Sequence, residues 1–182
     1  QARVIFKKNK IEKLPLVDGE DKIVGLITAK DILKIAQFPQ ALRDQKGHLM
    51  VGATVGIGKN FIAEAKELAR AGADVILIDT ARGFSTRLED AVKSLRESLD
   101  HTPIVAGNVD TPDGALMLIE AGADAIKVGI GPGAVCKTRE GPGVGIPQIT
   151  AIAECTAIAQ KYGIPIIADG GIRGGAHFCK AL

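Results

Sequence analysis

The chain has no tryptophan and a single tyrosine, and aromatic residues make up only 3% of its 182 positions. A base-stacking platform or an aromatic carbohydrate face would have almost nothing to be built from. It also lacks an excess of one charge. Lys and Arg number 23 against 21 Asp and Glu, a formal net charge of +2, and the basic residues are scattered. No nucleic-acid partner is expected from such a distribution. Cysteine is scarce and odd in number, and Cys136, Cys155 and Cys179 show no CxxC spacing. That pattern suits reduced thiols in the cytoplasm better than a disulfide framework, and it offers no readable zinc site. No apolar run reaches the roughly 18 residues of a membrane helix, and Gln1 to Lys8 lacks the layout of a signal peptide. No membrane partner is expected. The chain opens on Gln1 rather than Met, so its start is read as lying inside a longer gene product.

What is present is glycine, 22 residues of it, and enough apolar content, 46%, for a real core. From Leu49 onward, buried strand patterns alternate with helical ones. Leu49–Val55 precedes a helix capped by Asn60, with Phe61, Ala65, Leu68 and Ala69 on one face and Gly72 as the stop. Asp74–Asp79 precedes a stripe of Leu88, Ala91, Val92, Leu95 and Leu99. Pro103–Gly107 leads through Thr111 as cap and Pro112 to a helix ending at Gly122. Asp124–Gly129 is followed by a glycine-rich loop to Pro147, a helix over 148–162, and a fifth strand, Ile164–Asp169. The tetrapeptide Ala-Gly-Ala-Asp closes a helix and opens a strand at both 71–74 and 121–124.

This alternation means a parallel sheet wrapped by helices, either doubly wound or a (β/α)8 barrel. Every strand ends in unusual chemistry: Gly52–Gly56, Asp79, Gly107-Asn108, the Gly129–Cys136 loop, and Asp169-Gly170-Gly171. That favours the barrel, whose functional groups sit on the C-terminal rim. The expectation is a partial TIM barrel of about five βα units over 49–182. Five strands cannot close, so two unpaired edges are expected, with Val51, Val75, Ile104 and Ile126, or their alternating neighbours, open to water. Self-association, and no multiple-turnover catalysis by this polypeptide alone, are expected to follow.

The first residues follow another rule. A short helix to about Lys8, an extended Lys13–Val17, a turn over 18–21 and a strand over 22–27 precede a helix, 29–36, whose capping box is Thr28 and Asp31. Residues 1–37 form a small α+β module and 38–48 a linker.

The densest chemistry lies in Gly129-Ile-Gly-Pro-Gly-Ala-Val-Cys-Lys-Thr-Arg139. Glycines free backbone amides and carbonyls to face a ligand, and a thiol sits at the apex. Cys136 is either a small buried hydrophobe or a nucleophile whose pKa Lys137 and Arg139 depress. Cys155 and Cys179, on helical patterns, are read as structural. Asp79 and Asp169 are either helix caps or ligand contacts, Asn108 a turn former or a contact, and Lys127 a packed or ion-paired residue.

Four segments resemble the family of IMP dehydrogenases and GMP reductases: Leu77-Ile-Asp-Thr-Ala-Arg-Gly83, Ile104-Val-Ala-Gly-Asn-Val109, Lys127 to Gln148, and Ile167-Ala-Asp-Gly-Gly-Ile-Arg173. The resemblance implies that Cys136 attacks the purine C2 of inosine monophosphate as hydride passes to NAD, with Thr138 assisting. It implies potassium on the carbonyls of Gly131, Gly133 and Cys136. Asp169 would hold the ribose hydroxyls, and Gly170-Gly171 would approach the phosphate at a helix N-terminus. Asp79, Asn108, Gly129 and Lys127 would lie on the nicotinamide side. Ala134 stands where the family usually has a phosphate-binding serine, and Lys137 where threonine is common. Arg82 and the glycine-rich Gly174-Gly-Ala-His177 also depart from the family pattern.

Asn9–Asp18 and Gly25–Asp31 resemble the second half of a CBS-type module. The resemblance implies an adenine or guanine nucleotide near Thr28 and Asp31, positions that the capping box explains equally well. Such modules interrupt the dehydrogenase barrel and are typically absent from reductases, so the dehydrogenase branch is favoured, within a homotetrameric parent. The alternatives are a GMP reductase or a non-catalytic nucleotide-binding or assembly fragment. No residue matches the family's flap arginine.

Overall fold

A computed structural model describes residues 1–99 and 101–182. They form two compact units, 1–50 and 51–182.

In the first unit α1 (Ala2–Asn9) precedes β1 (Lys13–Val17), β2 (Ile23–Thr28) and α2 (Ala29–Gln37). The strands pair antiparallel, with Lys13 opposite Thr28 and an irregularity at Leu16/Val17. Asp18 makes the turn by accepting the N–H groups of Glu20 and Lys22 at 2.9 and 3.0 Å. The capping box is complete. Thr28 Oγ1 accepts the Asp31 N–H at 3.2 Å, and Asp31 Oδ2 accepts the Thr28 N–H at 2.8 Å. The Thr28 hydroxyl also donates to Asp31 at 2.6 Å, and these bonds hold the Asp31 carboxyl below its ordinary value. Residues 43–49 close on themselves through a bridge between Arg43 and Leu49, with Asp44 accepting the N–H groups of Lys46 and His48.

The second unit is the alternation that the sequence shows: β3 (Gly52–Val55), α3 (Phe61–Arg70), β4 (Val75–Asp79), α4 (Thr86–Ser98), β5 (Ile104–Val109), α5 (Pro112–Glu120), β6 (Ala125–Val128), α6 (Gln148–Ala159), a 3-10 turn Gln160–Tyr162, β7 (Ile166–Ala168) and α7 (Gly175–Ala181). The five strands are parallel and lie in sequence order, β3 to β7. A doubly wound sheet reverses its strand order at a switch point; this one does not, so the sheet is a partial TIM barrel.

Parity along the strands separates two faces. Ile76, Ile78, Ile104, Ala106, Ile126 and Val128 are fully buried under Leu88, Leu95, Leu118 and Cys155 of the helices. Ile104 and Ile126 thus belong to the helix side, and their chain neighbours Val105, Ala125 and Lys127 face the other way; these too are buried, while Val51 is open to water as expected. Burial favours this choice because the β-branched side chains fill the layer that the helices close.

The Ala-Gly-Ala-Asp repeat has a physical reason. Gly72 and Gly122, at φ 103° and 100°, end their helices in the left-handed region. Asp74 then donates its N–H to the Val51 carbonyl and accepts the Val51 N–H at 2.7 Å. Asp124 does the same with Ile104. Each repeat therefore pins the start of one strand to the start of its neighbour. Ser85 and Thr111 cap their helices through side-chain oxygens, whereas Asn60 occupies the cap position without such a bond. Among the described residues no helix is long and apolar enough to cross a membrane.

Candidate functional site

Asp79, Gly107, Lys127 and Ile167 lie side by side in register across β4, β5, β6 and β7. Neighbours in a parallel ladder point to the same face, so this row sits just inside the C-terminal rim. Gly107 makes it work. A Cβ there would come within 2.7 Å of the Lys127 Cβ and 2.5 Å of its carbonyl. With none, the Lys127 ammonium reaches Asp79 at 3.2 Å on one side and Asp169 at 2.5 Å on the other. Its side chain is only 11% exposed, so the two carboxylates supply the charge that burial requires.

Pairing in β5 shifts between Gly107 and Val109, leaving Asn108 out of the ladder. Such irregularities re-aim a side chain. Asn108 donates from Nδ2 to the Gly129 carbonyl at 2.7 Å and to Asp169 Oδ2 at 2.9 Å, while its Oδ1 is buried without a partner among the described residues. Burial pushes the Asp169 carboxyl upward, but the Lys127 and Asn108 hydrogen bonds and the Lys127 charge outweigh it and hold it below 3.8. Neither aspartate caps a helix: Ser85 and Gly174 occupy those positions for α4 and α7.

The thiol loop packs on the same rim. Gly170 and Gly171, at φ 83° and 77°, follow Asp169, and a Cβ on either would meet Pro132 or Gly133 at 3.0–3.2 Å. They do not open a helix, since α7 begins only at Gly175. The expected helix N-terminus is therefore displaced, because two consecutive left-handed residues cannot start a right-handed turn. Cys136 is exposed, and its Sγ lies 3.3 Å from Thr138 Oγ1. The Thr138 hydroxyl and amide, with the Gly131 amide, hold the thiol below its ordinary 9.0. The Arg139 charge lowers it too, but by less than these hydrogen bonds. Hydrogen bonds act here at contact, while an exposed charge is screened by water. The Ala134 methyl offers no donor to an anion.

The other two thiols differ from it and from each other. Cys155 is fully buried on α6, and burial, with Asp110 and Glu154, pushes it up to about 12. Cys179 is exposed on α7, so it is no core residue. At one fixed neutral pH, iodoacetamide is expected to modify Cys136 fastest, Cys179 more slowly and Cys155 only after unfolding, and Thr138→Val to slow Cys136 several-fold. Peptide mapping over time checks the order; Cys179 ahead of Cys136 would refute it.

Two site residues escaped the sequence reading. Gln148 is buried and donates from Nε2 to the carbonyls of Val128 at 2.9 Å and Asp169 at 3.2 Å, tying the ends of β6 and β7 together. The signal was there: Gln148 precedes Ala151, Ile152, Cys155 and Ala159 by helical spacing, a polar residue at the head of a buried stripe. Asp110, 8% exposed, accepts the Ile146 N–H at 3.0 Å.

A parallel barrel rim bearing an exposed thiol on a glycine loop, beside a Lys-linked pair of aspartates, has the layout of an enzyme of the TIM-barrel class. Comparison with known proteins narrows the class. A family profile described as IMP dehydrogenase / GMP reductase domain matches residues 25–182, and one described as CBS domain matches 1–37. The chain belongs to the IMP dehydrogenase / GMP reductase family. It is 52% identical to an inosine-5'-monophosphate dehydrogenase of Aquifex aeolicus and 50% identical to one of Bacillus subtilis, in each case over the whole chain and 37% of the relative's length. The chain thus spans little more than a third of these curated relatives. A crystal structure of a GMP reductase from Trypanosoma brucei in complex with guanosine 5'-monophosphate superposes with a TM-score of 0.87 at 37% identity, covering 99% of this chain and 38% of that one. A second, in complex with guanosine 5'-triphosphate, gives 0.87 at 38%, covering 99% and 43%.

These reductase structures match nearly the whole chain, the first unit included. The CBS-type module therefore does not by itself separate the two branches, as the sequence reading supposed. Sequence identity still leans to the dehydrogenases.

Proposed function

We propose that this chain carries the thiol side of NAD-dependent oxidation of inosine monophosphate. The observation that supports it is the exposed Cys136, with Thr138 at 3.3 Å, on a loop packed against the Asp169–Gly171 rim. In this reading the Cys136 thiolate bonds to C2 of the purine, and the C2–H bond breaks with its electron pair leaving as hydride. NAD, when bound, accepts that hydride. Water then displaces the thiol, giving xanthosine monophosphate and a proton. Asp169 accepts hydrogen bonds from the ribose hydroxyls, and Lys127 keeps it ionised for that purpose.

The residues fit both groups that the reading requires. For the nicotinamide carboxamide, the buried and unpartnered Oδ1 of Asn108 is an acceptor without a donor, with Asp79 and Gly129 nearby. For potassium, the Gly131 and Cys136 carbonyls accept no hydrogen bond among the described residues. The Gly133 carbonyl accepts only the Cys136 N–H, at 3.1 Å, and keeps a lone pair. Carbonyl oxygens suit a hard cation. A cytoplasmic location, a homotetrameric assembly and a purine nucleotide at residues 1–37 belong to the same proposal, on family grounds.

Incubation with 6-chloropurine ribotide followed by digest mapping tests it. The label is expected on Cys136 alone and is expected to vanish in Cys136→Ala. A label on Cys155 or Cys179 in its place would sink the assignment.

A further inference from the structure

One residue of the thiol loop is held on both sides of its Cα, through its N–H and through its carbonyl. Asp110, at the end of β5, accepts the Ile146 N–H at 3.0 Å. Arg139 donates from Nη2 to the Ile146 carbonyl and from Nε to the Ile130 carbonyl at 3.2 Å. Ile130 opens the loop and Ile146 closes it, so a single guanidinium fastens both ends to its middle. Room for the arginine stem is made by two glycines in the left-handed region. A Cβ on Gly131 (φ 78°) would lie 2.5 Å from Arg139 Cγ, and one on Gly145 (φ 138°) 2.8 Å from Nε. Cys136 and Thr138 sit on the arm between Ile130 and Arg139, and the next residue after Thr138 is the fastened one.

We propose that Arg139 and Asp110 are positioning residues for Cys136, a two-sided clamp on the backbone of Ile146 that sets the shape of the thiol loop. The inference rests on the reading of Cys136 as the nucleophile. The guanidinium shapes the loop through its fork, which satisfies two carbonyls at a fixed separation, and not through its charge. Lysine keeps the charge but has a single ammonium on a flexible stem and cannot span both. At position 110 the requirement is an acceptor rather than a charge. Asparagine meets it and alanine does not.

The test uses the full chain and two readouts taken at one fixed pH: hydrogen exchange of the peptide covering 130–146, and the rate of Cys136 modification by iodoacetamide. Arg139→Lys and Arg139→Gln are expected to behave alike, with exchange in that peptide about tenfold faster and Cys136 modification at least threefold slower. Asp110→Ala is expected to do the same, and Asp110→Asn to stay within twofold of the native chain. Arg139→Lys matching the native chain, or Asp110→Asn failing as badly as Asp110→Ala, would overturn the clamp in favour of charge. Cys155 reports folding: should it become reactive in the Arg139 variants, the Asp110 pair decides. No nucleotide enters the assay, so failure here is separate from failure of Cys136 to take the 6-chloropurine label.

Discussion

Replacing Lys127 with methionine is expected to destabilise the barrel unit by about 1–3 kcal/mol and to invert the pH dependence of its rim. Breaking a buried ion pair by removing one partner costs about 3–5 kcal/mol. The Asp79 and Asp169 side chains are 49% and 44% exposed, however, so water takes over part of the lost contact and the figure is reduced. In the native chain the folded-state pKa of Asp169 lies below its ordinary 3.8. Its ionised form therefore stabilises the fold at neutral pH, and that contribution disappears as pH falls through the depressed value. Without Lys127, burial acts on Asp169 with only Asn108 to oppose it, and Asp79 adds a like charge nearby. The folded-state pKa then rises, and the variant gains stability on mild acidification where the native chain loses it. Urea unfolding between pH 3.5 and 7 measures both slopes. Parallel curves for the two proteins would show that Lys127 does not hold the aspartates.

The Gly83→Ala variant is expected to cost still more, about 3 kcal/mol or above, although position 83 touches no ligand in the proposed reaction. A Cβ there would run into the Asn108 carbonyl and come within 2.9 Å of Val109 Cγ1. The obstacle is backbone in the middle of the rim and cannot rotate away. Relief requires Asn108 to move, and with it the bonds to Gly129 and Asp169. Gly58→Ala is the control, since nothing lies within 4 Å of its Cβ position. A midpoint shift in urea for Gly83→Ala and none for Gly58→Ala is the expected pattern, accompanied by slower 6-chloropurine labelling of Cys136 in the first. Equal midpoints would mean that the rim yields more easily than its close contacts imply.

The sequence by itself determined the elements and their kind. Both-faced apolar runs such as Val75–Ile78 and one-faced stripes such as Leu88, Val92 and Leu95 differ in period, and period is a local property that survives without a partner. Local signals also marked the capping box at Thr28 and Asp31, the Thr111 cap, the glycine helix stops at Gly72 and Gly122, and the thiol loop around Cys136. Each of these depends on residues a few positions apart.

Only the tertiary structure decided what the rim residues do to one another. That Lys127 is shared between Asp79 and Asp169 follows from strand register, and Gly107 is silent about it until β4 and β6 stand on either side of it. Thr138 acts most strongly on the Cys136 thiol because its hydroxyl lies 3.3 Å from the sulfur, a contact that adjacency in the chain cannot tell. Arg139 reads as a charge in the sequence and as a fork in the fold, because its partners are carbonyls brought close only when the loop closes. Ile104 and Ile126 went to the helix side for a similar reason. Alternation gives two faces, and the packing of helices chooses which residues meet them.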